Sequence, residues 1–159
     1  MSINAALADA VERLTVAGFQ ILHAYGRKND APATHDHYTA VPYIDDMEAA
    51  YAVADVVVCR SGAMTVAENS AAGIPAIYIP LPHGNGEQGL NSAHLVDAGA
   101  ALRIDDAALS GDVLVDKLLP LVEPEARATM RAALKDSGAG SVAEDLAARI
   151  ATAAGKDTK

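Results

Sequence analysis

The chain has 159 residues, 51% of them apolar but only 4% aromatic, with no Trp and a formal net charge of −9. That length suits one domain with a real core and no need of disulfides or a structural metal, and the acidic balance without any Lys/Arg cluster excludes a nucleic-acid surface, which needs a basic stripe. The single cysteine, Cys59, excludes an internal disulfide and a Cys/His zinc pattern and fits a reducing compartment.

The first ten residues hold an acidic side chain and no basic n-region, so a secretory signal is not expected. No apolar run approaches the roughly 20 residues of a membrane span, and the expected compartment is the cytoplasm. Ile3, Leu7, Val11 and Leu14 recur at helical spacing behind Ser2 as a possible N-cap, which predicts a helix over 3–17 ended by Gly18. A short strand follows over 19–24, with His23 on it as a structural residue. The stretch 26–39 is polar, contains Pro32 and reads as a loop. His35-Asp36-His37 within it has metal-ligand spacing but reads more simply as solvated.

A short strand is expected over 38–43, and Asp45-Asp46 can cap a helix over 47–54. The run 55–59 (Asp-Val-Val-Val-Cys) reads as a strand buried on both faces. Ser61-Gly62 is the turn into a helix over 63–72, stopped by Gly73, and a strand over 75–79 comes next. Two prolines and two glycines make 80–86 a shaped loop. A helix over 87–98, a strand over 101–104 and helical segments over 110–119, 124–136 and 141–153 complete the pattern, with a disordered tail over 155–159.

Strands and helices that alternate in this way predict an α/β chain with a Rossmann-like, doubly wound parallel sheet, as one domain over 1–154. Such a unit normally opens with a strand and a glycine-rich turn, whereas this one opens with a helix, so a first strand is expected to be missing.

Ligands of doubly wound sheets gather where strands end and helices begin, and the segment Arg60-Ser61-Gly62-Ala63-Met64-Thr65-Val66-Ala67-Glu68 lies at such a junction. Gly62 permits close backbone approach. The N–H groups opening the next helix can hold a diphosphate, and Glu68 can accept the hydroxyl hydrogens of a ribose. The structural alternative makes Ser61 an ordinary N-cap and Thr65–Glu68 a capping box. A second polar junction, with His83, Asn85, Glu87, Gln88 and Asn91, favours a shared pocket.

Ile44-Asp45-Asp46-Met47, the run from Ala54 to Thr65, Ala71-Ala72-Gly73-Ile74-Pro75-Ala76, Pro80-Leu81-Pro82-His83 and Gln88, Leu90 and Asn91 resemble the C-terminal domain of the MurG family of GT-B glycosyltransferases. The match extends over about 2–153, and the Pro-His-Gly-Asn-Gly-Glu-Gln loop is similar to that of actinobacterial members. The resemblance implies a UDP-GlcNAc-binding half of an enzyme that transfers N-acetylglucosamine to undecaprenyl-diphospho-N-acetylmuramoyl-pentapeptide in peptidoglycan synthesis, peripheral on the cytoplasmic face of the membrane. It implies further that the backbone of Ile44 pairs with uracil, that Met64 and Thr65 contact the diphosphate beside Arg60, Ser61, Gly62 and Ala63, and that Glu68 holds the ribose. Glu87 and Gln88, with His83 and Asn91 nearby, then fall at the GlcNAc hydroxyls.

Two departures matter. Glu87 stands where the family often has a second glutamine, so it accepts hydrogen bonds but donates none. The family's turn resembling Gly-Gly-Ser-Gln-Gly-Ala, expected just before Ser2, is absent with its strand. The acceptor domain and the base belong to an N-terminal half, so no catalytic residue, metal or other cofactor is expected in this chain, and turnover by it alone is not expected. Self-association through an exposed sheet edge is expected instead. The competing readings are a donor-binding subunit or non-catalytic module docking on a separate membrane-bound partner, and an inactive fragment.

Overall fold

A computed structural model describes residues 2–82 and 86–139. The expected helix over 141–153, the tail over 155–159 and the loop residues His83 and Asn85 lie outside the described residues. The apolar stripe that opens the chain forms helix α1 (Ser2–Val16), which buries Ala6, Leu7, Ala10, Val11 and Leu14. After it come β1 (Ile21–Ala24), β2 (Tyr38–Val41), α2 (Met47–Val53), β3 (Val57–Cys59), α3 (Ala63–Ala71), β4 (Ala76–Tyr78), α4 (Glu87–Asp97), β5 (Ala101–Arg103), α5 (Gly111–Leu118) and α6 (Pro124–Asp136), with short 3-10 turns at Asp106–Ala108 and Leu119–Val122.

Local chemistry sets several of these boundaries. The Asp46 carboxylate accepts from the Ala49 N–H at 2.9 Å and caps α2, and the Ser110 hydroxyl accepts from Val113 at 3.2 Å and caps α5. Ser2 departs from its expected N-cap role. It lies inside the first turn of α1, and its hydroxyl donates to Asp106 Oδ1 at 2.5 Å.

The strands form two parallel sheets, β1–β2 and β3–β4–β5, in keeping with the missing first strand expected from the sequence, whose loss would leave an exposed edge or a gap in the sheet. Helix α1 spans the division. Its Asn4 side chain donates to the Tyr25 carbonyl just past β1, while Ser2 meets Arg60 just past β3, so the ends of β1 and β3 flank its first turn. All three residues of β3 are only half-buried, against the expectation of burial on both faces, because β3 has a neighbour on one side only. The fully buried strand is β4.

Alternation along β4 and the residues flanking it divides the core. Ile77 and Ile79 join a cluster with α1 and α5, and Ala76 and Tyr78 join a second with Val66, Leu95 and Leu134 of α3, α4 and α6. Helices therefore cover both faces, as the doubly wound pattern requires. His23, 8% exposed, is structural as expected. Asn4 gives its amide N–H to Tyr25, so its oxygen faces His23 Nε2, and His23 Nδ1 accepts from the Tyr38 hydroxyl at 2.7 Å. Burial pushes the His23 pKa down and keeps the ring neutral.

Helices α1 and α5 approach closely at Gly111. A Cβ built on Gly111 would lie 2.7 Å from Asp9 Cβ and 3.3 Å from the Ala6 carbonyl oxygen. Gly111→Ala gains about 1 kcal/mol of helix propensity, but overpacking costs about 1–3 kcal/mol. The expected outcome is net destabilisation, read as a lower urea midpoint at unchanged slope. A raised midpoint would show that the two helices part without cost.

Candidate functional site

The junction between β3 and α3 differs from the capped starts of α2 and α5. Gly62, not Ser61, is the N-cap residue of α3, and no side chain caps the helix. The N–H groups of Ala63, Met64 and Thr65 open the first turn, where helical geometry supplies them no partner. Thr65 is the third residue of the helix, so the capping-box alternative fails. Among the described residues a Cβ added to Gly62 would meet only Thr65 Oγ1, at 3.9 Å, and the backbone there has ordinary φ. Neither packing nor conformation requires glycine at this position, which leaves the space in front of the turn open.

Ser61 is completely buried, and this decides its role. Its hydroxyl donates to the Gln88 carbonyl at 2.7 Å, and its own carbonyl accepts from Asn91 Nδ2 at 3.0 Å. The start of α3 is thereby braced against the first turn of α4, which follows Gly86 in the left-handed region and is likewise uncapped. The Leu81 N–H donates to Gln88 Oε1 at 3.0 Å and ties in the preceding loop. Ser61 and Asn91, expected among the ligand contacts, thus hydrogen-bond within the brace. Glu87 is exposed and Gln88 half-buried beside it.

Arg60, which begins the junction, is engaged within the chain. Its guanidinium donates to Asp106 Oδ1 at 2.6 Å, to the Ile79 carbonyl at 3.1 Å and to Ser2 Oγ at 2.7 Å. An extended cation with five donors finds its acceptors in three other segments, and it ties the end of β3 to β4, to α1 and to the turn after β5.

Glu68 is exposed on α3, and the Tyr51 hydroxyl of α2 donates to its Oε2 at 3.2 Å. Burial, and then the bond to Glu68, pushes the Tyr51 pKa up to about 12. Tyr51 escaped the sequence reading; its only signal was a single hydroxyl-bearing side chain in the alanine-rich stretch Ala49-Ala50-Tyr51-Ala52. Ile44 is half-buried just ahead of the α2 cap, and among the described residues no hydrogen bond engages its peptide groups.

Other reactive groups are placed elsewhere. Burial pushes the Cys59 thiol up to about 11 against the opposing hydrogen bond donated by Asn69 Nδ2, so it carries little thiolate. His35, Asp36 and His37 form an exposed tight turn, with His37 at φ 63°. Among the described residues no group of three His, Cys, Asp or Glu side chains could hold a metal. A separate apolar groove of about 470 Å³ lies between β5, α5 and α6, lined by Leu102, Pro120, Leu121 and Met130 among others, and shares no residue with the α3–α4 junction.

Residues 1–150 match the model of the glycosyltransferase family 28 C-terminal domain. A relative from Corynebacterium glutamicum (strain R), a UDP-N-acetylglucosamine–N-acetylmuramyl-(pentapeptide) pyrophosphoryl-undecaprenol N-acetylglucosamine transferase, is 55% identical over 152 residues, which is 95% of this chain and 43% of that protein. A Mycolicibacterium smegmatis protein of the same name is 49% identical over 98% of this chain and 43% of its own length. The chain thus spans less than half the length of these relatives. Among solved structures, Acinetobacter baumannii MurG superposes with a TM-score of 0.73 at 30% identity, over 91% of this chain and 45% of that one.

The Arg60 network yields a stability prediction. Its side chain and that of Asp106 are 25% and 19% exposed, so removing the cation takes a donor from a poorly solvated carboxylate and from the Ile79 carbonyl. Arg60→Ala is expected to cost about 2–3 kcal/mol in urea unfolding, with Arg60→Lys recovering only part because an ammonium cannot fork between segments. Unchanged stability combined with loss of UDP binding would instead place Arg60 at the ligand.

Proposed function

This chain belongs to the glycosyltransferase family 28 C-terminal domain family, and on that premise we propose that it is the UDP-GlcNAc-binding half of an inverting transferase that passes N-acetylglucosamine to undecaprenyl-diphospho-N-acetylmuramoyl-pentapeptide in peptidoglycan synthesis. The observation that carries this reading is the pair of glycine-started, uncapped helices α3 and α4, braced side by side through Ser61. Unpartnered N–H groups at a helix start, with the positive end of the helix dipole, suit a diphosphate.

In this reading the N–H groups of Ala63, Met64 and Thr65 meet the diphosphate across Gly62, Glu68 accepts from the ribose hydroxyls, and the open peptide edge at Ile44 pairs with uracil. Glu87 and Gln88, at the start of α4, meet the GlcNAc hydroxyls, with His83 and Asn91 nearby. When an acceptor hydroxyl attacks the anomeric carbon, negative charge grows on the departing diphosphate. Fixed N–H dipoles stabilise that charge more than the ground state, and this is the contribution of the domain to rate. The acceptor site and the base belong, in this proposal, to the remaining part of the longer enzyme.

The lipid-linked acceptor places that enzyme peripherally on the cytoplasmic face of the membrane. Among the described residues no helix is long and apolar enough to cross a bilayer. The division between the sheets suits insertion of one further strand between β1 and β3, delivered in the full enzyme ahead of α1. Unfilled, those edges favour pairing between copies.

Two measurements test the reading. Calorimetry of UDP binding is expected to show about 10- to 100-fold weaker affinity for Glu68→Ala, the effect of losing hydrogen bonds to a charged acceptor worth about 1.5–3 kcal/mol; equal affinities would remove the ribose assignment. Sedimentation of the 159-residue chain is expected to show concentration-dependent self-association, and a strict monomer at high concentration would count against edge pairing.

A further inference from the structure

We propose that Tyr51 is a positioning residue for ribose recognition: from α2 its hydroxyl holds Glu68 Oε2 at 3.2 Å and fixes the carboxylate in one rotamer, with Oε1 left to accept from the ribose diol. The inference rests on the reading of Glu68 as the ribose acceptor and adds the residue that orients it. Glu68 is exposed, and a free glutamate on a helix surface samples several rotamers, each of which must be given up on binding. A donor already bonded to one oxygen removes that freedom before the ligand arrives, and preorganisation of this kind raises affinity without a new ligand contact.

Tyr51 suits the task. With its pKa pushed up to about 12 by burial and by Glu68 itself, its hydroxyl keeps its proton at any physiological pH and is always the donor. Helix α2 also follows directly on Ile44, and its start is fixed by the Asp46 cap. The segment assigned to the base thus leads directly into the seven-residue helix that carries the tyrosine orienting the ribose acceptor. A purely structural role is the alternative: α2 has no buried residue, and the Tyr51–Glu68 bond could simply tie it to α3.

Specificity for the 2′-hydroxyl separates the two. Affinities of this chain for UDP and 2′-deoxy-UDP are measured by calorimetry for wild type, Tyr51→Phe and Glu68→Ala, with thermal unfolding as the check that each variant folds. Tyr51→Phe is expected to weaken UDP about 3- to 10-fold and to leave 2′-deoxy-UDP nearly unchanged, so the preference for the ribonucleotide shrinks. An equal loss for both nucleotides, the signature of a loosened α2 that also disturbs Ile44, overturns the inference, as does an unchanged preference. In either case a preference that still vanishes in Glu68→Ala leaves the reading of Glu68 standing. Absence of any preference in wild type sinks that reading and the inference with it.

Discussion

Ser61 holds the candidate site together. Its hydroxyl and its carbonyl are both used within the chain, one to the first turn of α4 and the other by Asn91 of the same helix. Because the residue is completely buried, water does not compete for these bonds, and loss of either partner would strand a polar group in the interior. Two helix starts that belong to different βα units are thereby fixed relative to one another, which two independent surface loops would not achieve. Everything assigned to a diphospho-sugar, from the open turn at Gly62 to Glu87 and Gln88, depends on that brace.

A second tier of contacts fixes the brace to the rest of the fold. Arg60 lies next to Ser61 in sequence yet reaches in other directions, to Ile79, Asp106 and Ser2. It makes the end of β3 continuous with the ends of the other elements that meet there, including α1, the helix that straddles the two sheets. Tyr51 does the same from α2, reaching the far end of the α3 segment at Glu68. The pattern is of small, oriented polar groups left open at the helix starts and longer side chains spent on holding the frame, a division that suits a preorganised electrostatic site.

Much of the fold was legible in the sequence because its signals are local. The 3.6-residue stripe of α1, the Asp46 and Ser110 caps and the glycines that end helices act within a few residues, and element boundaries followed to within one or two positions in most cases. What depended on distant partners was not legible. The N-cap of α3 fell on Gly62 because Ser61 has a better partner 27 residues on, at Gln88. Arg60 turned inward because its acceptors lie up to 58 positions away. The half-burial of β3 could not be read from its apolar run, since burial of a strand depends on what hydrogen-bonds beside it. The candidate segment stands out in the sequence by its position at a strand-to-helix junction and by its resemblance to a family, whereas side-chain direction depends on distant partners.

The charge of the chain sharpens what the site must do. A protein with net charge −9 repels a dianionic diphosphate at long range, and the carboxylates Glu68 and Glu87 add to that repulsion close by. Among the described residues, Arg60 and Arg103 beside the α3–α4 junction do little to offset it, since each is paired with an aspartate, Asp106 and Asp105 respectively. In the proposed reading, recognition of the diphosphate falls on peptide N–H groups, whose partial charges act only within about one helical turn and whose directions are set by the backbone. Such a site gains little from long-range attraction and much from exact placement. On that reading the buried brace at Ser61, and not any charged side chain, is the feature on which binding would stand.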